Sequence, residues 1–250
     1  MIIGFKKIVE RFKADDGLEN KILDILYLQR LQEKCDAKMK KVCGELLVKT
    51  EMTSFSDLIV VSCNLKRKGN LDSLLSRVAY IVDSLFEKEI FCRGGAVIGN
   101  LHHDGQVVFG QALIDAHKLE SEIATYPRII LTTEVVKRLR ELSDIESKVK
   151  VDPKSPYYSA KDLAVINRIF TDFDGCMYLS PFPKLKGLNP DRFAGMKSYW
   201  LMQKRIIEKM LNKFNCDLKI SIKYKWLALK FNEIVSGEFS KGEIERIKIE

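Results

Sequence analysis

The chain has 250 residues, 46% hydrophobic and 30% charged, enough to bury a full core and too apolar for a disordered segment. It carries no apolar run of transmembrane length and no charged-apolar-small leader, so a membrane partner is excluded and the expected compartment is the cytoplasm. The net charge of +8 is uneven, because residues 184–250 hold 15 Lys and Arg against 8 Asp and Glu. Such a region can favour nucleic acid, nucleotides or an acidic partner, but Lys-rich helical segments read first as a solvated face, which disfavours nucleic acid. Trp200, Tyr224, Trp226 and Phe231 recur there at helical spacings and read as core. Six Cys, at 35, 43, 63, 92, 176 and 216, include no C-x-x-C pair and read as buried free thiols rather than a zinc site or disulfide framework.

In chain order, "MIIGF" is an apolar strand that breaks at Gly4 into the helix start "KKIVERFK". Such a break is suited to holding phosphate. "LENKILDILYLQRLQEKCDAKMKKV" has apolar residues at helical spacing (Leu18, Ile22, Ile25, Leu26). "ELLVKT" and "SDLIVVSC" flank a polar turn and predict a hairpin. "LDSLLSRVAYIVDSLFEK" is an amphipathic helix, and "IFCRGGAVIGNL" a strand with Gly94, Gly95 and Gly99. Asp104-Gly105 is a hairpin turn signal from which "QVVFG" returns. A helix "QALIDAHKLESEIA", a strand "YPRIILTT" and a helix "EVVKRLREL" follow.

"SKVKVDPKSPYYSAKDL" reads as a linker or an edge excursion, and "INRIFTDFDGCMYLSPFPK" as two short strands around Asp174-Gly175. From 191 to about 235 the pattern is helical, with cores "YWLMQKRIIEKMLNKF" and "ISIKYKWLALKFNEIV". The expected class is α/β (α+β), a mixed or antiparallel sheet with packed helices. One domain is drawn over 1–145. A C-terminal extension over 146–250, short strands and then helices, is expected to pack on it.

Three segments together resemble a class III nucleotidyl (adenylate/guanylate) cyclase catalytic domain. In "RGGAVIGNLHHDGQVVFGQALIDAHKLESEIATYPRIILTTEVV", Arg93, Gly95 and Gly99 stand at the family's Arg-x-Gly-Ile-x-x-Gly strand. Gly110, Leu113, Ala116 and Leu119 stand at its Gly-x-x-Val-Asn-x-Ala-x-Arg-Leu, and Ala124 and Pro127 at its Ala-x-Pro. "SFSDLIVV" stands where the family has Gly-Asp before an apolar strand, and "MIIGF" where it has Asp-Ile-x-Gly-Phe. The likeness covers residues 1–140. With the later "DFDG" and "KYKWLALKFNEIV" the chain also resembles bacterial proteins near the pyrimidine cyclases of anti-phage signalling.

The resemblance implies a ferredoxin-like domain and a head-to-tail homodimer. The reaction it implies uses Mg2+ or Mn2+ to turn a nucleoside triphosphate into a 3′,5′-cyclic nucleotide. In that chemistry two ions held by two Asp activate the ribose 3′ oxygen for in-line attack on the α-phosphorus. Asp57 stands at the second metal Asp, and the carbonyl of Ile2 at the family's backbone ligand. Gly4, Phe5 and Lys6 stand at the phosphate turn.

Several positions depart from the pattern. The first metal Asp falls on Met1 and the transition-state Asn on Ile114. The Arg that contacts phosphate falls on Lys118, a point charge without a bidentate fork. The purine-reading Lys and its Asp fall on Thr53 and Val107, which disfavours an ordinary adenylate or guanylate cyclase: either another base is read, as in UTP or CTP, or none is.

Arg93 could reach phosphate or pair structurally with a carboxylate. His102 and His103 flank a hairpin turn and read first as exposed loop rather than metal site, and His117 as a surface His. Asp172 and Asp174, two apart, could form an acidic pair, although the turn accounts for one of them. Two functions follow: a cyclase, or a catalytically impaired homologue that binds nucleotide or pairs with an active cyclase.

Overall fold

The structure, a computed structural model, describes residues 2–4, 50–55, 58–66, 70–147, 165–183, 190–238 and 247–249. The expected helices over 6–42 and the polar stretch 148–164 lie outside these residues. Two compact units divide at Ser180/Pro181.

In the first unit, β1 (Ile2–Gly4), β2 (Thr50–Phe55) and β3 (Leu58–Cys63) precede helix α1 (Asn70–Phe86). Strand β4 (Arg93–Ala96) leads to a two-stranded hairpin of β5 (His102–His103) and β6 (Val108–Phe109). Helix α2 (Gln111–Lys118) runs into a π turn, Leu119–Ile123. Then come β7 (Ile129–Leu131), helix α3 (Thr133–Ser147), a 3-10 turn (Val165–Arg168), β8 (Ile169–Thr171) and β9 (Met177–Leu179). The main sheet has the order β2-β3-β1-β4-β7-β9-β8. Every neighbouring pair is antiparallel except β4 and β7. The class is therefore mixed α/β, as the pattern of elements predicts.

β2 is described over "TEMTSF", and Phe55 pairs with Leu58. Of the expected run "ELLVKT", residues 45–49 lie outside the described residues. In the observed register Met52 lies opposite Val61 and both are buried. Cross-strand pairs of this kind hold the register.

The sheet carries packing on both faces. Ile59 and Val61 of β3 face α1, whose Leu71, Leu74, Leu75, Val78, Ile81 and Leu85 are buried at helical spacing. Val60, between them and so on the other face, packs with Ala116 of α2. A Cβ on Gly95 of β4 would stand 2.5 Å from Leu119 Cβ and 2.7 Å from the Ala116 carbonyl oxygen, so only Gly lets α2 lie this close. Gly110, at the start of α2, has φ 138°, and a Cβ there would stand 2.6 Å from the Asn100 carbonyl oxygen. The expected 14-residue helix is in fact α2 followed by the π turn, whose closing bond runs from Ala124 N to Leu119 O at 2.8 Å.

β8 and β9 extend the sheet beyond β7, so the first unit runs through to Ser180 rather than ending at 145. A buried ion cluster ties this edge together. Arg128, just before β7, binds Asp172 and Asp174 of the β8–β9 turn, and the Arg128 and Asp172 side chains are both fully buried. Arg168 makes a two-pronged pair with Asp83 of α1, at 2.8 and 2.7 Å.

The second unit holds helices α4 (Pro190–Lys213) and α5 (Leu218–Glu238), as the periodicity predicts. Asp217 caps α5, its Oδ1 accepting from Ile220 N at 3.0 Å. Trp200, Phe182 and Phe231 form a buried ring cluster with centroids 5.3–6.5 Å apart. Tyr224 and Trp226 are buried too, so the aromatics of this basic region are core. Among the described residues no helix is long and apolar enough to cross a membrane.

Gly95→Ala is expected to destabilise the first unit by about 1–3 kcal/mol in urea unfolding, because α2 must retreat from the sheet. The Arg128 hydrogen bond holds the Asp174 carboxyl down at about 2. A depressed carboxyl contributes stability that is present above its unfolded value and lost as pH falls toward about 2. Acid unfolding of Asp174→Asn should therefore lack that component below pH ~4, and an unchanged acid profile would refute the assignment.

Candidate functional site

The sheet register sets which candidate residues meet. Gly4 of β1 stands between Leu58 of β3 and Arg93 of β4. Asp57 immediately precedes Leu58 in the chain. Asp57, Phe5 and Lys6 lie outside the described residues. Ile2 pairs instead with Val60 and Gly95. It thus stands two residues along β3 from Leu58, about 7 Å at ~3.4 Å per residue. The register sets Gly4, not Ile2, opposite Leu58.

Arg93 is a strut. Its Nε lies 2.6 Å from Glu120 Oε1 of the π turn, and its Nη1 donates to the Ala124 carbonyl at 3.3 Å. Of the two roles the sequence left open, this geometry carries the structural pair, with part of the guanidinium still reachable by solvent.

On the same sheet face as Val60, Thr53 of β2 and Ser62 of β3 reach the β5–β6 hairpin. Thr53 Oγ1 donates to the Gly105 carbonyl at 2.7 Å and lies 2.8 Å from His103 Nε2. Ser62 Oγ lies 2.8 Å from His103 Nδ1. His103 is therefore not an exposed loop residue: it is half-buried, and burial lowers its pKa from the ordinary value. His102 is exposed and lies 3.6 Å from Asp104. Adjacent strand residues point to opposite faces, and that was the available signal that one of the two would turn inward. Thr53 is buried and Val107 is exposed on the hairpin, so these two candidates do not form one surface.

On α2, Ala112 and Ala116 face inward while Gln111, Ile114 and Lys118 share the exposed face at i, i+3 and i+7. Ile114 at 51%, Val107 at 51% and Phe109 at 60% exposure make this side of the unit unusually apolar. Asp172 and Asp174 do converge, but on Arg128, which sequence reasoning did not single out because its partners lie 44 and 46 residues away.

Among the described residues no three His, Cys, Asp or Glu side chains form a group that could hold a metal ion. Asp57, the carboxylate at the second metal position of the resemblance, lies outside the described residues.

Cys63, Cys92 and Cys176 do not suit nucleophilic roles. Burial pushes Cys63 up to about 11 and Cys92 up to about 12, and it raises Cys176 as well. Cys63 and Cys176 are partly buried and Cys92 fully so, as the sequence predicts, but Cys216 is exposed. Cys35 and Cys43 lie outside the described residues. Iodoacetamide at pH 8 should modify Cys216 in the native protein and spare Cys92 until urea unfolds it, as read by peptide mass spectrometry. Native labelling of Cys92 would contradict its burial.

The chain matches no family model, and no curated protein and no solved structure is significantly similar to it.

Proposed function

We propose that this chain is a class III nucleotidyl cyclase-like protein with a ferredoxin-like core. In this reading it converts a nucleoside triphosphate, UTP or CTP, into a 3′,5′-cyclic nucleotide second messenger, in a head-to-tail homodimer and in an anti-phage signalling role. The observation that carries the reading is the strand order β2-β3-β1-β4, with every neighbour antiparallel and α1 crossing from β3 to β4. It is the order of a split β-α-β sheet, the scaffold on which the three quoted segments would meet. Gly4 opposite Leu58, the residue that follows Asp57 in the chain, adds support. The exposed face of α2, with Ile114 and Lys118 turned outward, suits residues that would act across a dimer interface.

Specific observations also favour the second reading, a catalytically impaired homologue that binds nucleotide or pairs with an active cyclase. Met1 and Ile114 stand at family catalytic positions. Ile2 stands opposite Val60 rather than opposite Leu58, the residue that follows Asp57 in the chain. Arg93 is already neutralised by Glu120.

Purified protein with Mn2+ and each of ATP, GTP, CTP and UTP is expected to release cyclic UMP or cyclic CMP. Asp57→Ala should cut the rate about a hundredfold or more, since a metal-held charge contributes several kcal/mol to such a transition state. Nucleotide binding without product from any of the four would replace the enzyme reading with the impaired one.

A further inference from the structure

The β5–β6 hairpin is too short to hold itself. It has two paired positions, His102 with Phe109 and His103 with Val108, and a two-stranded ribbon of that length is not stable alone in water. Its turn is braced by Asp104, whose Oδ1 accepts from Val107 N at 2.9 Å and Gln106 N at 3.2 Å, and whose N donates to the Val107 carbonyl at 3.2 Å. Those bonds shape the turn without fixing it to anything. The groups that tie it down are Thr53, Ser62 and His103.

Donor counting sets the direction of every bond in that group. The Gly105 carbonyl can only accept, so the one hydroxyl proton of Thr53 goes to it. Toward His103, Thr53 Oγ1 must then be an acceptor, so His103 Nε2 carries a proton. In the neutral ring Nδ1 is then bare, and it accepts from the Ser62 hydroxyl. The chain runs one way, Ser62 to His103 to Thr53 to the Gly105 carbonyl, joining β3 and β2 to the β5 arm and the turn of the hairpin. Bonds aligned in this way polarise one another.

We propose that His103, as the neutral Nε2–H tautomer, is a positioning residue: with Thr53 and Ser62 it latches the 102–109 hairpin, and with it Val107 and Phe109, over β2 and β3. The latch stands on its own geometry. One consequence rests on the cyclase reading: Thr53, at the family's base-reading position, has committed its hydroxyl to the hairpin, so the latched hairpin edge would face the base instead.

Protonation works against the latch. The Ser62 hydroxyl would have to reverse to accept from Nδ1–H, and the half-buried imidazolium loses hydration. Among the described residues, the charged and titratable groups near the ring are Glu51 on β2, and Asp104 and His102 on the hairpin. Of these, Glu51 and Asp104 favour the charged form, yet burial outweighs them. A lowered His pKa means that the latched state binds the proton less well than the released state. Latching is therefore full above the ordinary value of ~6.5 and weakens as pH falls below it.

The test uses the full chain without nucleotide, so its failure and that of the cyclase reading are separable. Nitrogen-15 shifts of the His103 ring at pH 7.5 should report the Nε2–H tautomer. Thr53→Val should speed hydrogen exchange at the Asp104 and Val107 amides about tenfold relative to Ile130 in β7, and Thr53→Ser should restore protection. Lowering the pH to 5 should reduce that protection in the wild-type chain, after correction for intrinsic exchange. An Nδ1–H tautomer, unchanged exchange in Thr53→Val or failure of rescue by Ser would each overturn the latch. Should Thr53→Val fail to fold, Ser62→Ala decides, because deleting the donor to Nδ1 should raise the His103 pKa, and an unchanged value overturns the proposal.

Discussion

The missing side chain at Gly95 sets how closely α2 and its π turn lie on the sheet. From that contact the rest of this face follows. Ala116 reaches Val60, Glu120 reaches Arg93, and Gly110 turns the chain back so that the hairpin before it is carried over β2 and β3. A single methyl at residue 95 would collide with both a side chain and a carbonyl oxygen of α2. Because the interior is close-packed, the collision could be relieved only by moving the whole segment.

Charge supports this frame at three arginines, each joining parts distant in sequence. Arg93 ties β4 to the π turn, Arg128 ties the start of β7 to the β8–β9 turn, and Arg168 ties the 3-10 turn to α1. Buried ion pairs add little net stability, because desolvation cancels most of the attraction, but a mispaired partner is costly. Their effect here is to make one arrangement of the turns acceptable and the alternatives expensive. The opposite treatment falls on the outer face of α2 and the hairpin tip, where Val107, Phe109 and Ile114 stay in water.

Local patterning was enough to read the helices and the tight turns. Apolar residues three and four apart marked α1, α4 and α5, and Asp-Gly at 104–105 and 174–175 marked two hairpins. Patterning was not enough for the register of β2, because which of its residues lies opposite Val61 depends on the partner strand, and that residue is Met52. The candidate site divided in the same way. Glycine positions and their spacing were legible, whereas the partners of Arg93, His103 and Arg128 lie 27 to 50 residues away in sequence and leave no local trace.

By itself the sequence determined the alternation of helices and strands, the two Asp-Gly turns and the aromatic core of the basic region. Each of these depends on residues within a few positions of one another, where backbone preference and apolar period act directly. The tertiary structure decided the strand register that sets Gly4, not Ile2, opposite Leu58. It also decided the pairing that ties Arg93 to Glu120, and the burial that turns His103 from a loop residue into the centre of a hydrogen-bonded chain. Those outcomes depend on which distant groups share a dry space, and that follows from packing, not from any one stretch of chain.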